Sequence, residues 1–166
     1  MKNLIAIPVL ILVFMLQTAV ASRITLFSGA ADLVLLTLIA WALQEQVKSA
    51  IHWAALAGLM AAFVSGLPPF VLLTAYVLSV LMARSILRQT WHTPILALFT
   101  VTFFSTLLLH LITYLALVAR GTVISFADAL ALITLPSIFL NFLLALPVHS
   151  FIRDMALWVY PMDDMV

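Results

Sequence analysis

Residues 94–118 read PILALFTVTFFSTLLLHLITYLALV, twenty-five consecutive positions without Asp, Glu, Lys or Arg. At ~1.5 Å per residue this run makes a helix of about 37 Å. That exceeds the ~30 Å hydrocarbon core of a bilayer, so the helix tilts or protrudes. The rest of the chain agrees with its centre. Of 166 residues, 66% are hydrophobic and 8% charged, with a mean hydropathy of +1.29. Soluble domains carry roughly a quarter charged residues, so the solvent for most of this chain is lipid. Six spans of about 20 residues would leave room for short connections only, and no extramembrane domain of ordinary size.

The same counts exclude several chemistries. The four glycines, Gly29, Gly58, Gly66 and Gly121, are too scattered for a phosphate-binding loop or a dinucleotide fingerprint. Zero cysteines remove disulfides, thiolate metal sites and cysteine nucleophiles. A net charge of +1 offers no basic face to a nucleic acid.

Outward from the central run, five further spans are expected. The first is Leu4 to Ala21. Lys2 and the small residues Ala19-Val20-Ala21 before Ser22 imitate a cleavable signal, but a run long enough to span, in a polytopic chain, reads as a retained helix. The second runs from Ala30 to Gln46 after a turn at Ser28-Gly29, with Asp32 in its first turn, where the helix dipole favours a carboxylate. The third is Ala50 to Gly66, broken by Leu67-Pro68-Pro69, and the fourth Phe70 to Leu87. Arg84 and Arg88 lead into a polar connection, Gln89 to Thr93, containing Trp91 and His92. After the fifth span, Ser125 and Asp128 have capping-box spacing and open a short interfacial helix, Phe126 to Leu132. The sixth span is Ile133 to Ile152, with Pro136 and Pro147 bending it or marking its ends. Arg153 closes it and begins a tail, Arg153 to Val166, whose Trp158 and Tyr160 suit the headgroup belt. Alternation puts Lys2, Lys48, Arg84, Arg88 and Arg153 on one side and Arg23 and Arg120 on the other. The positive-inside rule then places both termini in the cytoplasm.

Three polar or small-residue patterns stand out. Ala50, Ala54, Gly58, Ala62 and Gly66 recur every fourth residue on the third span, a ridge that lets two helix backbones approach closely. Thr102, Thr106, His110 and Thr113 form a stripe on the fifth span, and Ser137, Asn141 and His149 another on the sixth. Gln17 lies near the outer end of the first. Such side chains face a bundle interior and hydrogen-bond one another, or line a cavity for a small ligand or a proton. The four histidines lie on different spans or connections, which gives no metal site. No paired base accompanies a serine nucleophile. The residues carry no catalytic constellation and call for no cofactor.

In its landmarks the chain resembles the rod shape-determining protein MreD family of bacteria. These are Leu16-Gln17-Thr18; Ala31-Asp32-Leu33-Val34-Leu35-Leu36 and Ala40-Trp41-Ala42-Leu43; Gly58 and Ser65-Gly66; Leu135-Pro136-Ser137; and Leu140 to His149. Ala31 stands where the family commonly has proline, and Ala62 where it often has an acid. The resemblance implies an all-α integral membrane protein of the bacterial cytoplasmic membrane. Its fold would be similar to the substrate-binding components of energy-coupling-factor vitamin transporters. It implies a non-catalytic scaffold of the cell-elongation complex, which organises lateral peptidoglycan synthesis. MreC is the first expected partner, with MreB, RodA and the elongation-specific penicillin-binding transpeptidase bound directly or indirectly. The alternative is a vitamin-binding transport subunit, with a pocket near the outer face to which Thr74, Tyr76, His110, Thr113 and Tyr114 contribute.

Overall fold

The computed structural model describes residues 5–88 and 94–161. Lys2, the connection containing Trp91 and His92, and tail residues 162–166 lie outside the described residues. Six helices carry the fold. They are α1 (Ala6–Ala19), α2 (Leu33–Ala42), α3 (Ala50–Val64), α4 (Pro69–Arg88), α5 (Pro94–Ala119) and α6 (Phe126–Val159). Between α1 and α2 lie a 3₁₀ turn, Ala21–Arg23, and a two-stranded antiparallel ribbon, with β1 (Thr25–Leu26) pairing β2 (Gly29–Ala30). Ser28-Gly29 is a turn only in part. Phe27 takes the left-handed conformation at φ 53°, and Gly29 already belongs to β2.

Among the described residues, four helical stretches are long and apolar enough to cross a membrane: Ala6–Arg23, Pro69–Arg88, Pro94–Ala119 and Phe126–Val159. The expected second span, Ala30 to Gln46, shrinks to ten residues, roughly 15 Å. The third shrinks to fifteen, about 22 Å. Asp32 is the reason at the start of α2. Its backbone is extended and its carboxylate accepts from the Leu35 amide at 2.8 Å, so the helix begins only at Leu33. At the far end the Gln44 amide turns back onto the Trp41 carbonyl, and Val47 onto Gln44. Nine of the ten residues of α2 are buried. An all-round apolar helix suits that central place, and α2 packs on α6, α4, α1, α3 and α5.

The C-terminal part of the chain departs further from expectation. The expected interfacial helix, Phe126 to Leu132, and sixth span, Ile133 to Ile152, form one continuous helix of 34 residues. Its Ala129–Thr134 stretch is π-helical. Proline lacks the amide that would bond the carbonyl four residues back, and its ring clashes with that carbonyl. The wider π turn before Pro136 moves the Leu132 carbonyl aside, and the Ser28 amide from the ribbon donates to it at 3.0 Å. Ser125 stands at the helix start with extended backbone, yet its side chain makes no capping bond. Pro147 lies inside the helix, and Arg153 lies well before its end at Val159, so residues 153–159 are helix and not tail.

Two arginines tie opposite ends of the bundle. The Arg84 guanidinium donates to the Ala42 and Gln44 carbonyls at 3.3 Å, covering the exposed C-terminal carbonyls of α2. Arg120 donates to the Gly66 carbonyl at 2.8 Å, between α3 and α4. A stacked Trp41–Trp53 pair, centroids 4.3 Å apart, anchors α2 to α3 at the Arg84 end.

Candidate functional site: a polar hub beside an apolar cavity

The segment Ser28–Leu33 enters the bundle as extended backbone, so its amides and carbonyls have no helix to satisfy them. Deep among apolar helices each unpaired group costs several kcal/mol, and side chains from α1 and α6 meet the need. Gln17 bonds twice, its Nε2 donating to the Ala31 carbonyl at 2.9 Å and its Oε1 accepting from the Leu33 amide at 2.7 Å. Ser137 Oγ accepts from the Ala30 amide at 3.1 Å. Asn141 Oδ1 accepts from the Asp32 amide at 2.8 Å, while its Nδ2 donates to Thr106 Oγ1 at 2.9 Å. Thr106 passes its own proton to the Thr102 carbonyl at 2.7 Å. Two helices, α1 and α6, thus bond this six-residue segment, and α5 joins them through Asn141.

Gly29 makes this approach possible. A Cβ there would stand 2.5 Å from the Ile133 carbonyl oxygen and 2.8 Å from the Ser137 nitrogen, both backbone of α6. Such atoms cannot swing aside as a side chain can.

Asp32 is also the link to a cavity. Its second oxygen accepts from the Tyr76 hydroxyl of α4 at 3.2 Å. Both residues line an apolar cavity of about 560 Å³ between α4, α5 and the start of α6, along with Ser65, His110, Thr113, Tyr114 and Thr134. That volume falls within the range of small-molecule sites, ≈ 300–1,000 Å³. Among the lining residues Asp32 is the one carboxylate, and neither Lys nor Arg lines the cavity. His110 Nδ1 lies 3.1 Å from Thr134 Oγ1, and Thr134 donates to the Ala129 carbonyl at 3.1 Å. Thr134 has one proton, so the network assigns the His110 proton to Nδ1 and leaves Nε2 a lone pair. A smaller cavity of about 170 Å³ lies on the other side of Asp32 and Tyr76, lined by Gln17, Thr18 and Ala61 among others.

The expected stripes therefore divide. Gln17, Asp32, Thr106, Ser137 and Asn141 converge on the hub. His110 and Thr113 face the cavity. Thr102 is wholly buried without a partner for its hydroxyl, as is the neighbouring Ser105. His149 lies two turns beyond Asn141, with a buried Nδ1 that pairs with no group among the described residues. Thr74 is exposed and does not line the cavity, whereas Tyr76 and Tyr114 do.

The small-residue ridge also divides. Ala50, Ala54 and Gly58 are buried, Ala62 is half-buried and Gly66 exposed. A four-residue step advances about 40° around a helix of 3.6 residues per turn, so the ridge drifts off the contact face. Ala57 and Ala61 continue that face instead. Gly66 lies beyond the end of α3, with no atom within 4 Å of the place a Cβ would take. No group of three or more His, Asp or Glu that could hold a metal occurs among the described residues.

Gln17 offers the simplest test of the hub. Gln17→Ala orphans one carbonyl and one amide of the entering segment, at a cost of about 2 kcal/mol. Thr18→Ala removes a hydroxyl that bonds only carbonyls of its own helix, and costs about 0.5 kcal/mol or less. Thermal midpoints in detergent should rank the two in that order; equal midpoints would remove Gln17 from the hub.

No protein-family model, curated protein or solved structure matches this chain. What fold and site define is a class. It is an all-helical protein with four helices long and apolar enough to cross a membrane, holding a buried polar hub beside an apolar cavity.

Proposed function

We propose that the chain is a non-catalytic, multi-pass scaffold of the MreD type in the bacterial cytoplasmic membrane. It would maintain cell shape by organising lateral peptidoglycan synthesis, with MreC as first partner. MreB, RodA and the elongation-specific transpeptidase would join directly or indirectly. One observation carries this reading. Gln17, Asp32, Ser137 and Asn141, drawn from four landmark stretches of the family resemblance on three spans, meet in one hydrogen-bonded hub. Landmarks far apart in sequence that serve one structural purpose support a shared fold more strongly than matching apolar strings.

In this reading the chain crosses six times with both termini inside. The short helices α2 and α3 complete their crossings through the extended segments beside them. In residues 28–33 side chains bond the Ala30, Asp32 and Leu33 amides and the Ala31 carbonyl, and the Ser28 amide bonds the Leu132 carbonyl, the kind of pairing that irregular backbone at membrane depth requires. Partner helices would dock on the outward apolar faces of the bundle. Depletion in a rod-shaped host is expected to give round, wide cells, and re-expression to restore rods. Normal shape after complete depletion, in a host with no second copy, would refute the scaffold.

A second reading, a vitamin-binding subunit of an energy-coupling-factor transporter, is favoured by the cavity of about 560 Å³. Affinity purification from native membranes separates the two. Cell-wall synthesis proteins in the eluate support the scaffold, and an ATPase pair with a second membrane subunit supports the transporter.

A further inference from the structure

The cavity has a chemical sign. Its wall is almost wholly apolar, and among its hydroxyls and one histidine Asp32 is the single carboxylate. The Asp32 carboxylate has about four lone-pair sites. Three are engaged, by the Leu35 and Val34 amides and the Tyr76 hydroxyl, all neutral donors, so an ionised Asp32 meets no compensating cation among the described residues that line the cavity. The assigned His110 tautomer adds a second acceptor, Nε2. Among the described residues no Lys or Arg lines the wall, and Arg120 beside it is engaged on the Gly66 carbonyl, so a carboxylate or phosphate head at Asp32 would meet that charge with no lining cation to offset it. In an apolar surrounding that repulsion is screened weakly. A protonated nitrogen would instead supply the missing charge and donate to the lone pair that remains open.

We propose that this cavity binds a compact amphiphile with an apolar body and a protonated nitrogen as its head, the nitrogen seated against Asp32. The site extends beyond the scaffold reading and stands on the cavity alone. It holds equally for a scaffold that carries a bound ligand and for a transport subunit. Under the second it narrows the ligand class, excluding substrates whose polar end is anionic.

Two water-soluble probes with the same body and opposite heads test it: 4-phenylbutylamine and 4-phenylbutyrate. Each is titrated calorimetrically into the full chain in lipid nanodiscs, with empty nanodiscs subtracted. The amine is expected to bind saturably and at least tenfold more tightly than the carboxylate. Asp32→Asn keeps a good helix cap, since Asn and Asp cap about equally well, but removes the charge. It should abolish the preference for the amine. Ala129→Phe places a ring in the cavity from α6 and should weaken amine binding at least tenfold while leaving Asp32 untouched. Equal affinity for the two probes, tighter carboxylate binding, or no saturable signal above empty nanodiscs would each overturn the proposal. So would an Asp32→Asn protein that keeps the preference. Cell shape reports separately. A variant that loses amine binding but restores rods leaves the scaffold intact. A chain that binds the amine but never restores rods removes the scaffold and leaves the site.

Discussion

Asn141→Leu is expected to lower the stability of the protein by about 2–3 kcal/mol, the largest loss of any single side-chain change in the hub. Leucine keeps the branched four-heavy-atom shape of asparagine with bulkier methyls, so overpacking adds to the loss. The main change is in hydrogen bonding. The Asp32 amide loses its acceptor at 2.8 Å, and an unpaired buried amide carries its full desolvation cost. An interhelical side-chain bond averages only about 0.6 kcal/mol in a membrane protein, because the unfolded chain also finds partners. The orphaned amide outweighs that bond. Thr106→Val tests the distinction from the other side of the same contact. It breaks the Asn141–Thr106 bond and orphans the Asn141 Nδ2 but leaves the Asp32 amide paired, and should cost less, about 1–2 kcal/mol. Thermal unfolding in one detergent, followed by the near-ultraviolet signal of the tryptophans, gives the ranking. Equal losses in the two variants would show that the backbone segment does not depend on Asn141.

These expectations mark what was legible in the sequence. The run from Pro94 to Val118 carries one instruction, apolar and uncharged, and it folds as α5 with a boundary one residue away at Ala119. Asp32 was equally readable as a helix-start acid, because capping is local and needs only the next three residues. The second span was not readable in its length. Ala30 and Ala31 carry no mark against a helix, and it is Gln17 on α1 with Ser137 and Asn141, more than a hundred positions later, that bond this segment in extended form. The joining of the interfacial helix to the sixth span has a similar cause. Pro136 reads as a helix boundary, yet the π turn before it and the Ser28 amide accommodate the carbonyl it displaces. His110 was flagged without its partner, since Thr134 lies on another helix and carries no mark in its neighbours. Tyr76 looked like a cavity residue and nothing in the sequence tied it to Asp32.

The fold and the proposed roles meet at that Asp32–Tyr76 contact. It ties the start of α2 to α4 while both residues line the cavity. A ligand on Asp32 would therefore press on the same segment that Gln17, Ser137 and Asn141 hold in place. In a scaffold this gives a bound molecule a route to the helices that partners touch. In a transport subunit it gives the substrate a route to the face presented to the energising module. The hub, being fully paired, is the fixed part of either arrangement.

Gly58→Leu is expected to cost about 3–5 kcal/mol, enough to leave little folded protein. The helices α3 and α4 make the most extensive contact in the bundle. At Gly58 they approach so closely that a Cβ would lie 2.5 Å from the Leu73 Cα and 3.0 Å from its Cδ1. The Cα is backbone and cannot rotate away, so the two helices must part. Parting strips contact from the whole small face, Ala50, Ala54, Ala57 and Ala61, where attraction depends on close approach. Two terms oppose each other in Gly58→Ala. Helix propensity favours alanine by about 0.8–1.0 kcal/mol, whereas the backbone clash costs about 2 kcal/mol. The clash wins, and even this small change should lower the thermal midpoint. Gly66→Leu provides the contrast within the same run of small residues. Open space surrounds its Cβ position, so it should fall within about 0.5 kcal/mol of the unsubstituted protein. Yield of monodisperse protein and thermal midpoint in detergent measure all three. If Gly58→Leu melts with the parent, close approach of α3 and α4 at this glycine is not what holds them together; if Gly66→Leu fails as badly as Gly58→Leu, the ridge does not drift as the helix geometry requires.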